Sequence, residues 1–164
     1  MTKSEFKYLF DNNYEPVRNY LWYRCGDIQL ASDIAQEAFL KLWEKQPAKK
    51  NGNLKGLLYK IAGDIFVSNY RRKSVEMRFK ANYRQNRGGE SPEDKMQFDE
   101  LKLQYENALG ALPEKQRVVY LMHRMENMKY QEIAAVLGIS TKAVEKRMSK
   151  ALGFLKQKLQ YSEA

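Results

Sequence analysis

The stretch KYQEIAAVLGISTKAVEKRMSKALGFLKQKL, residues 129–159, reads as two helices crossing at a glycine. Ile133, Ala134 and Leu137 recur at the three- and four-residue spacing that gives a helix one apolar face. Gly138 stops that helix, because a sharp turn between crossing helices needs a residue at positive φ and glycine has no Cβ to clash there. Ile139 plugs the angle, and Ser140 is placed to cap the next helix with its hydroxyl. In that second helix Val144, Met148, Ala151, Leu152, Leu155 and Leu159 form the stripe expected to be buried. Lys142, Glu145, Lys146, Ser149 and Lys150 then face outward, with Thr141 at the start of the helix. An ordinary αα-hairpin has the same outline. Charge separates the two readings: seven basic side chains against two acidic between Lys129 and Gln160, a net of +5, suit phosphate. The outward set is the candidate DNA-reading surface, sized for a major groove.

The whole chain of 164 residues has room for one ordinary domain or two small ones, and 43% hydrophobic content is enough for compact cores. A net charge of +9 favours nucleic acid or another anionic partner. No apolar run reaches bilayer-spanning length, and the opening MTKSEFKYLF lacks the layout of a signal peptide. A cytoplasmic protein with no direct membrane insertion is expected. Cys25 and His123 each occur once, so neither an internal disulfide nor a cysteine cluster for zinc is available. No paired carboxylates, activated nucleophile or phosphate-cradling glycine loop occurs. No catalytic residue, cofactor, metal or small-molecule substrate is expected.

Outward from the hairpin, the fold class is all-α. Residues 1–45 carry six basic and seven acidic side chains, so the positive excess lies beyond them, and this first third is the part suited to a protein partner. Ser4 is placed to cap a short helix ending at Asp11-Asn12-Asn13, and Pro16 to open a second one. Asp27 caps a third, roughly Ile28 to Gln46. There Ala31, Ile34, Ala38 and Leu42 share one side. Leu40 and Trp43 fall on the other with Asp33, Gln36 and Glu37. Another helix of the domain could cover that Trp; a docking face for a basic helical partner is the functional alternative.

PAKKNGN, residues 47–53, is a loop. A helix from Leu54 to about Lys73 follows, with Leu58, Ile61, Ala62 and Ile65 inward. Tyr59, Phe66 and Tyr70 make an aromatic stripe beside Lys60, Arg71, Arg72 and Lys73. Such stripes are usually core, but aromatics among cations also suit unstacked bases. Seven basic residues against one acidic between Arg71 and Arg87, followed by RGGESPED, mark a flexible basic linker. The expected division is a domain at 1–75, the linker at 76–97 and a second domain at 98–164. In the second, Phe98, Leu101, Tyr105, Ala108, Leu109 and Leu112 line one helix. Pro113 starts the next, which sends Val118, Val119, Leu121 and Met122 inward.

Three stretches in this order carry a resemblance: SDIAQEAFLKLWE (32–44), LKGLLYKIAGDIFVSNYRRK (54–73) and LPEKQRVVYLMHRMENMKYQEIAAVLGISTKAVEKRMSKAL (112–152). The chain resembles the extracytoplasmic-function sigma factors, the two-domain group of the sigma-70 family that directs bacterial RNA polymerase to promoters. The stretches are similar to the family's region 2.2, regions 2.3 and 2.4, and region 4. The resemblance implies promoter DNA and core RNA polymerase as partners, with an anti-sigma factor as inhibitor. It implies that Asp33, Gln36, Glu37, Leu40 and Trp43 dock on the β′ clamp helices. Lys49, Lys50, Asn51, Tyr59, Lys60, Tyr70, Arg71 and Arg72 would take the −10 element. Thr141, Lys142, Glu145, Lys146, Ser149 and Lys150 would read the −35 element, with region 4 also on the β flap. Three departures stand out: Gly63-Asp64 where relatives often have Arg-Asn, Lys129 where Ser is common, and Glu145 where many carry a basic residue. A different helix-turn-helix regulator, such as a ligand-sensing repressor, is the competing reading.

Overall fold

The computed structural model describes residues 1–46, 53–69 and 96–160, and the side chains of all of these but 96–98 and 160. The described residues form seven helices and no strand: α1 (Lys3–Cys25), α2 (Ile28–Lys45), α3 (Leu54–Asn69), α4 (Met96–Ala111), α5 (Glu114–Glu126), α6 (Tyr130–Leu137) and α7 (Thr141–Gln160). The all-α expectation holds. The 71–87 basic run and most of the expected 47–53 loop lie outside the described residues.

The N-terminal pair of helices expected from Asp11-Asn12-Asn13 and Pro16 is instead one unbroken helix, capped by Thr2 rather than Ser4. The Glu5 N–H donates to Thr2 Oγ1 (3.2 Å) while the Thr2 N–H donates to the Glu5 carboxylate (3.0 Å), a reciprocal pairing that satisfies two orphan donors. Asn12 and Asn13 turn their side-chain amides back to the carbonyls of Tyr8 and Leu9. Phe10 and Tyr14, before the proline, meet Phe39 of α2 at centroid separations of 4.9 and 6.1 Å, and Val17 and Leu21, after it, are fully buried. Packing on both sides of Pro16 keeps the helix continuous where local composition favours a break.

Asp27 caps α2 as expected, accepting from the Gln29 and Leu30 N–H groups at 3.1 Å. Ala31, Ile34, Ala38 and Leu42 are buried, as are Leu58, Ile61, Ala62 and Ile65 of α3. These close a three-helix bundle; a fully buried Leu of this kind contributes about 1.5–3 kcal/mol. The second bundle, α4–α7, buries Leu109, Leu112, Val119, Met122, Ile133, Val144, Met148 and Leu155. Two expected core positions are not core: Leu101 is 52% exposed and Leu152 49%. Leu152 lies at the edge of its helix's apolar stripe, where the period of 3.6 carries it out of the bundle, and Leu101 lies in the first half of α4, where burial has not yet begun: the first buried residue among those described is Glu106.

The two bundles touch along α1 with α5 and α3 with α6. Among the described residues no helix is long and apolar enough to cross a membrane.

Candidate nucleic-acid interface

The angle between α6 and α7 is built as the sequence predicts. Gly138 sits at φ +68°, and the Ile139 N–H returns to the Ala134 carbonyl at 3.1 Å. Ser140 Oγ accepts from the Ala143 N–H at 3.0 Å, so the hydroxyl cap exists. Lys129 offers no side-chain cap to α6; its N–H instead donates to Glu132 at 3.2 Å. His123 bonds the Met128 carbonyl through Nδ1 at 2.9 Å and meets Tyr130 edge-on at 5.1 Å, which fixes the turn into α6 and is a structural role.

This frame leaves Lys142, Glu145, Lys146, Ser149 and Lys150 exposed along one side of α7, with Thr141 half-buried at its start. Among the described residues, none of the four charges in that set has an ion-pair partner. The Glu145–Lys142 surface pair that would make the face merely solvated is not formed. The face is rigid behind, because Val144, Met148 and Ala151 are buried beneath it.

A second surface lies on α2. Asp33, Gln36, Glu37 and Leu40 are exposed on α2, with Leu40 at 57%. Trp43 is half-buried, its ring 5.0 Å from Phe6 of α1. Lys3, Phe6, Leu40 and Trp43 line a shallow apolar groove of about 170 Å³. Lys3 and Phe6 are the residues that sequence reasoning left out of this surface.

The candidate −10 residues divide differently. Lys49, Lys50, Asn51, Tyr70, Arg71 and Arg72 lie outside the described residues. Lys60 is exposed, but Tyr59 is 2% exposed and Phe66 3%. Tyr59 packs on Tyr20 at 5.2 Å, and burial, with Glu126 and Tyr20 adding to it, pushes its phenol up. Gly63 has a packing reason: a Cβ there would stand 3.3 Å from Tyr20 Oη and 3.4 Å from Arg24 Nη1. Glycine lets Arg24 pass to its position over the Phe66 ring, 4.3 Å from the centroid.

A polar set between the bundles was also missed. Arg117, 1% exposed, donates to the carbonyls of Tyr23 (2.9 Å), Arg24 (2.7 Å) and Leu112 (3.1 Å). Arg24 pairs with Glu114, and Glu126 accepts from Asn19 (2.7 Å) and the Tyr23 hydroxyl (2.6 Å). The only signal was a charge beside the apolar run of residues 118–122. Among the described residues no cluster of three or more His, Cys, Asp or Glu is arranged to hold a metal ion.

A helix-turn-helix whose outward charges are unpaired among the described residues, joined to a bundle with an apolar groove, has the outline of a DNA-binding protein of two helical domains. Known proteins agree in detail. The family description "Sigma-70 region 2" matches residues 9–75, and "Sigma-70, region 4" matches residues 102–155. A probable RNA polymerase sigma factor, RfaY of Xanthomonas campestris, is 32% identical over 140 residues, 81% of this chain and 35% of that one. The ferric citrate uptake sigma factor FecI of Escherichia coli is 27% identical over 150 residues, 90% and 86% of the two chains. The ECF RNA polymerase sigma factor SigW of Bacillus subtilis is 26% identical over 151 residues, 85% and 81%. The chain thus spans about a third of the length of the Xanthomonas relative and most of the other two. In fold it is similar to the sigma factor RpoE of Bartonella quintana, solved with the anti-sigma factor NepR, at a TM-score of 0.63 and 20% identity over 95% of this chain and 97% of that one. The chain belongs to the sigma-70 family, in its extracytoplasmic-function group.

Proposed function

We propose that this chain binds core RNA polymerase and directs promoter-specific transcription initiation, with no catalysis of its own. Residues 1–75 act as the polymerase-binding and −10 domain, 76–97 as the linker and 98–164 as the −35 domain. The observation that carries the reading is the outward face of α7, whose charges are exposed and, among the described residues, unpaired on a rigid helix-turn-helix. In it Lys146 and Lys150 suit guanine edges or phosphates, and Glu145 suits the N4 amino group of cytosine.

The α2 groove supports the polymerase half. Leu40 and Trp43 offer an apolar anchor, and the same helix carries the exposed Asp33, Gln36 and Glu37, the last paired with Lys41 at 3.6 Å. That is the arrangement a basic helical partner, the β′ clamp helices, would fill. Region 4 would meet the β flap, an anti-sigma factor would cover both surfaces, and the chain would work in the cytoplasm. For the −10 element the exposed Lys60 is the described residue in place, with Lys49, Lys50, Asn51, Tyr70, Arg71 and Arg72 completing the set.

Chromatography with core polymerase, followed by run-off transcription from a library randomised at both promoter elements, tests the reading. Co-elution and enrichment of one −10/−35 pair is expected. Failure to co-elute, together with tight sequence-specific binding of duplex by the chain alone at physiological salt, would favour the repressor reading.

A further inference from the structure

The apolar groove on the first bundle forms where two helices run antiparallel. Lys3 and Phe6 come from the opening turn of α1, Leu40 and Trp43 from the closing turns of α2. Phe6 keeps the Trp43 ring in place: its own ring stands 5.0 Å from Trp43 and 6.3 Å from Phe39, edge-on to both. The volume, about 170 Å³, admits one large apolar side chain.

The charges beside this groove are placed against their own helices. Lys3 is the first residue of α1, and Glu44 stands in the last turn of α2, one turn beyond Leu40. A helix dipole favours acids at the N-terminus and bases at the C-terminus, so each side chain sits at the end that disfavours it. Glu5 in the first turn of α1 and Lys45 in the last turn of α2 follow the rule. Lys3 and Glu44 are both exposed, and among the described residues neither has an ion-pair partner, in the other or elsewhere. Their neighbours differ. Lys7, one turn after Lys3, pairs with Asp11 at 2.9 Å, and Glu37, one turn before Leu40, pairs with Lys41 at 3.6 Å. The groove is thus flanked by a cation on its α1 side and a carboxylate on its α2 side, both unanswered among the described residues.

We propose that Lys3 and Glu44 read the polarity of the polymerase helix that fills the groove. An apolar side chain of that helix enters beside Trp43, an acidic neighbour meets Lys3 and a basic neighbour meets Glu44. The opposite orientation would set like charges together on both sides, which selects against it. Phe6 is a positioning residue, holding the ring against which the apolar side chain packs. The inference rests on the proposed function and adds to it the charge order of the partner.

Titration of labelled core polymerase with the full chain tests this. Lys3→Glu combined with Glu44→Lys reverses the polarity of the groove, keeps the net charge, and puts each charge at the helix end that favours it. The exchanged chain should melt at or above the native temperature yet bind at least about tenfold more weakly at low salt, a loss that shrinks as salt is raised. Lys7→Glu combined with Asp11→Lys is the control and should leave affinity within about twofold. If the exchange lowers helicity, Lys3→Gln and Glu44→Gln take its place, each expected to weaken binding about threefold at low salt. Phe6→Ala should weaken binding about tenfold, and adding it to Trp43→Ala should cost less than about twofold more, because both remove the same packed ring. Additive losses overturn the positioning role of Phe6. An exchanged chain that binds like the native one, or a control that loses as much, overturns the polarity reading and leaves the proposed function standing. Failure of the native chain to bind core polymerase overturns both.

Discussion

Helices α5 and α7 both carry charged side chains beside buried apolar ones, and the two sets of charges have opposite fates. On α5, Glu114, Arg117 and Glu126 all find partners inside the chain. On α7, Lys142, Glu145, Lys146 and Lys150 find none among the described residues. A charge that is buried and saturated with hydrogen bonds holds structure; a charge held rigid, exposed and unanswered is available to a ligand. Residue type alone does not separate the two.

The comparison breaks most visibly at Arg117. Removing it leaves three carbonyls without their donor at a buried site, so Arg117→Ala should lower the unfolding free energy by roughly 3–5 kcal/mol, read by urea titration. Lys146→Ala, on the unanswered face, should change it by less than about 0.5 kcal/mol. Equal costs at both positions would erase the distinction between the helices.

Trp43 sharpens it, since it is intermediate between the two cases. Its ring leans on Phe6 at 5.0 Å and its other side opens to the groove. Trp43→Ala should weaken binding to core polymerase by about 2–4 kcal/mol, the size of an interface anchor, and cost only about 0.5–1.5 kcal/mol of stability for the lost aromatic pair. Both quantities are measurable on one preparation, by titration with labelled core polymerase and by thermal melting. A stability loss that exceeds the binding loss would make Trp43 a core residue.

What the sequence made legible follows the same line. The α6–α7 angle could be read residue by residue, because Gly138 and Ser140 act on their own backbone neighbours and the structure keeps both devices. The two bundle cores were readable from periodicity, except at a stripe edge, Leu152, and in the first half of α4, where Leu101 is exposed. Helix α1 was misread at Asp11-Asn12-Asn13 and Pro16, since the aromatic packing on Phe39 that keeps it whole comes from another helix. The polar set around Arg117 was invisible for a stronger form of that reason. Arg117 lies more than 90 positions from the carbonyls it binds on α1, and its place beside the apolar run of residues 118–122 does not say which groups it meets. Tyr59 looked like part of a base-stacking stripe, and its burial against Tyr20 depends on the same distant contacts.

The central claim is that the face of α7 reads bases, and Glu145 tests it most directly, because a carboxylate has no use for phosphate. A library randomised at the −35 element, selected with core polymerase and either the native chain or Glu145→Ala, should show a changed base preference at one position, worth roughly 1–3 kcal/mol of discrimination. The salt dependence of binding should be nearly unchanged, whereas Lys150→Ala should weaken all sequences alike and reduce the slope by about one counterion. An identical base preference at every −35 position with Glu145→Ala would contradict the account.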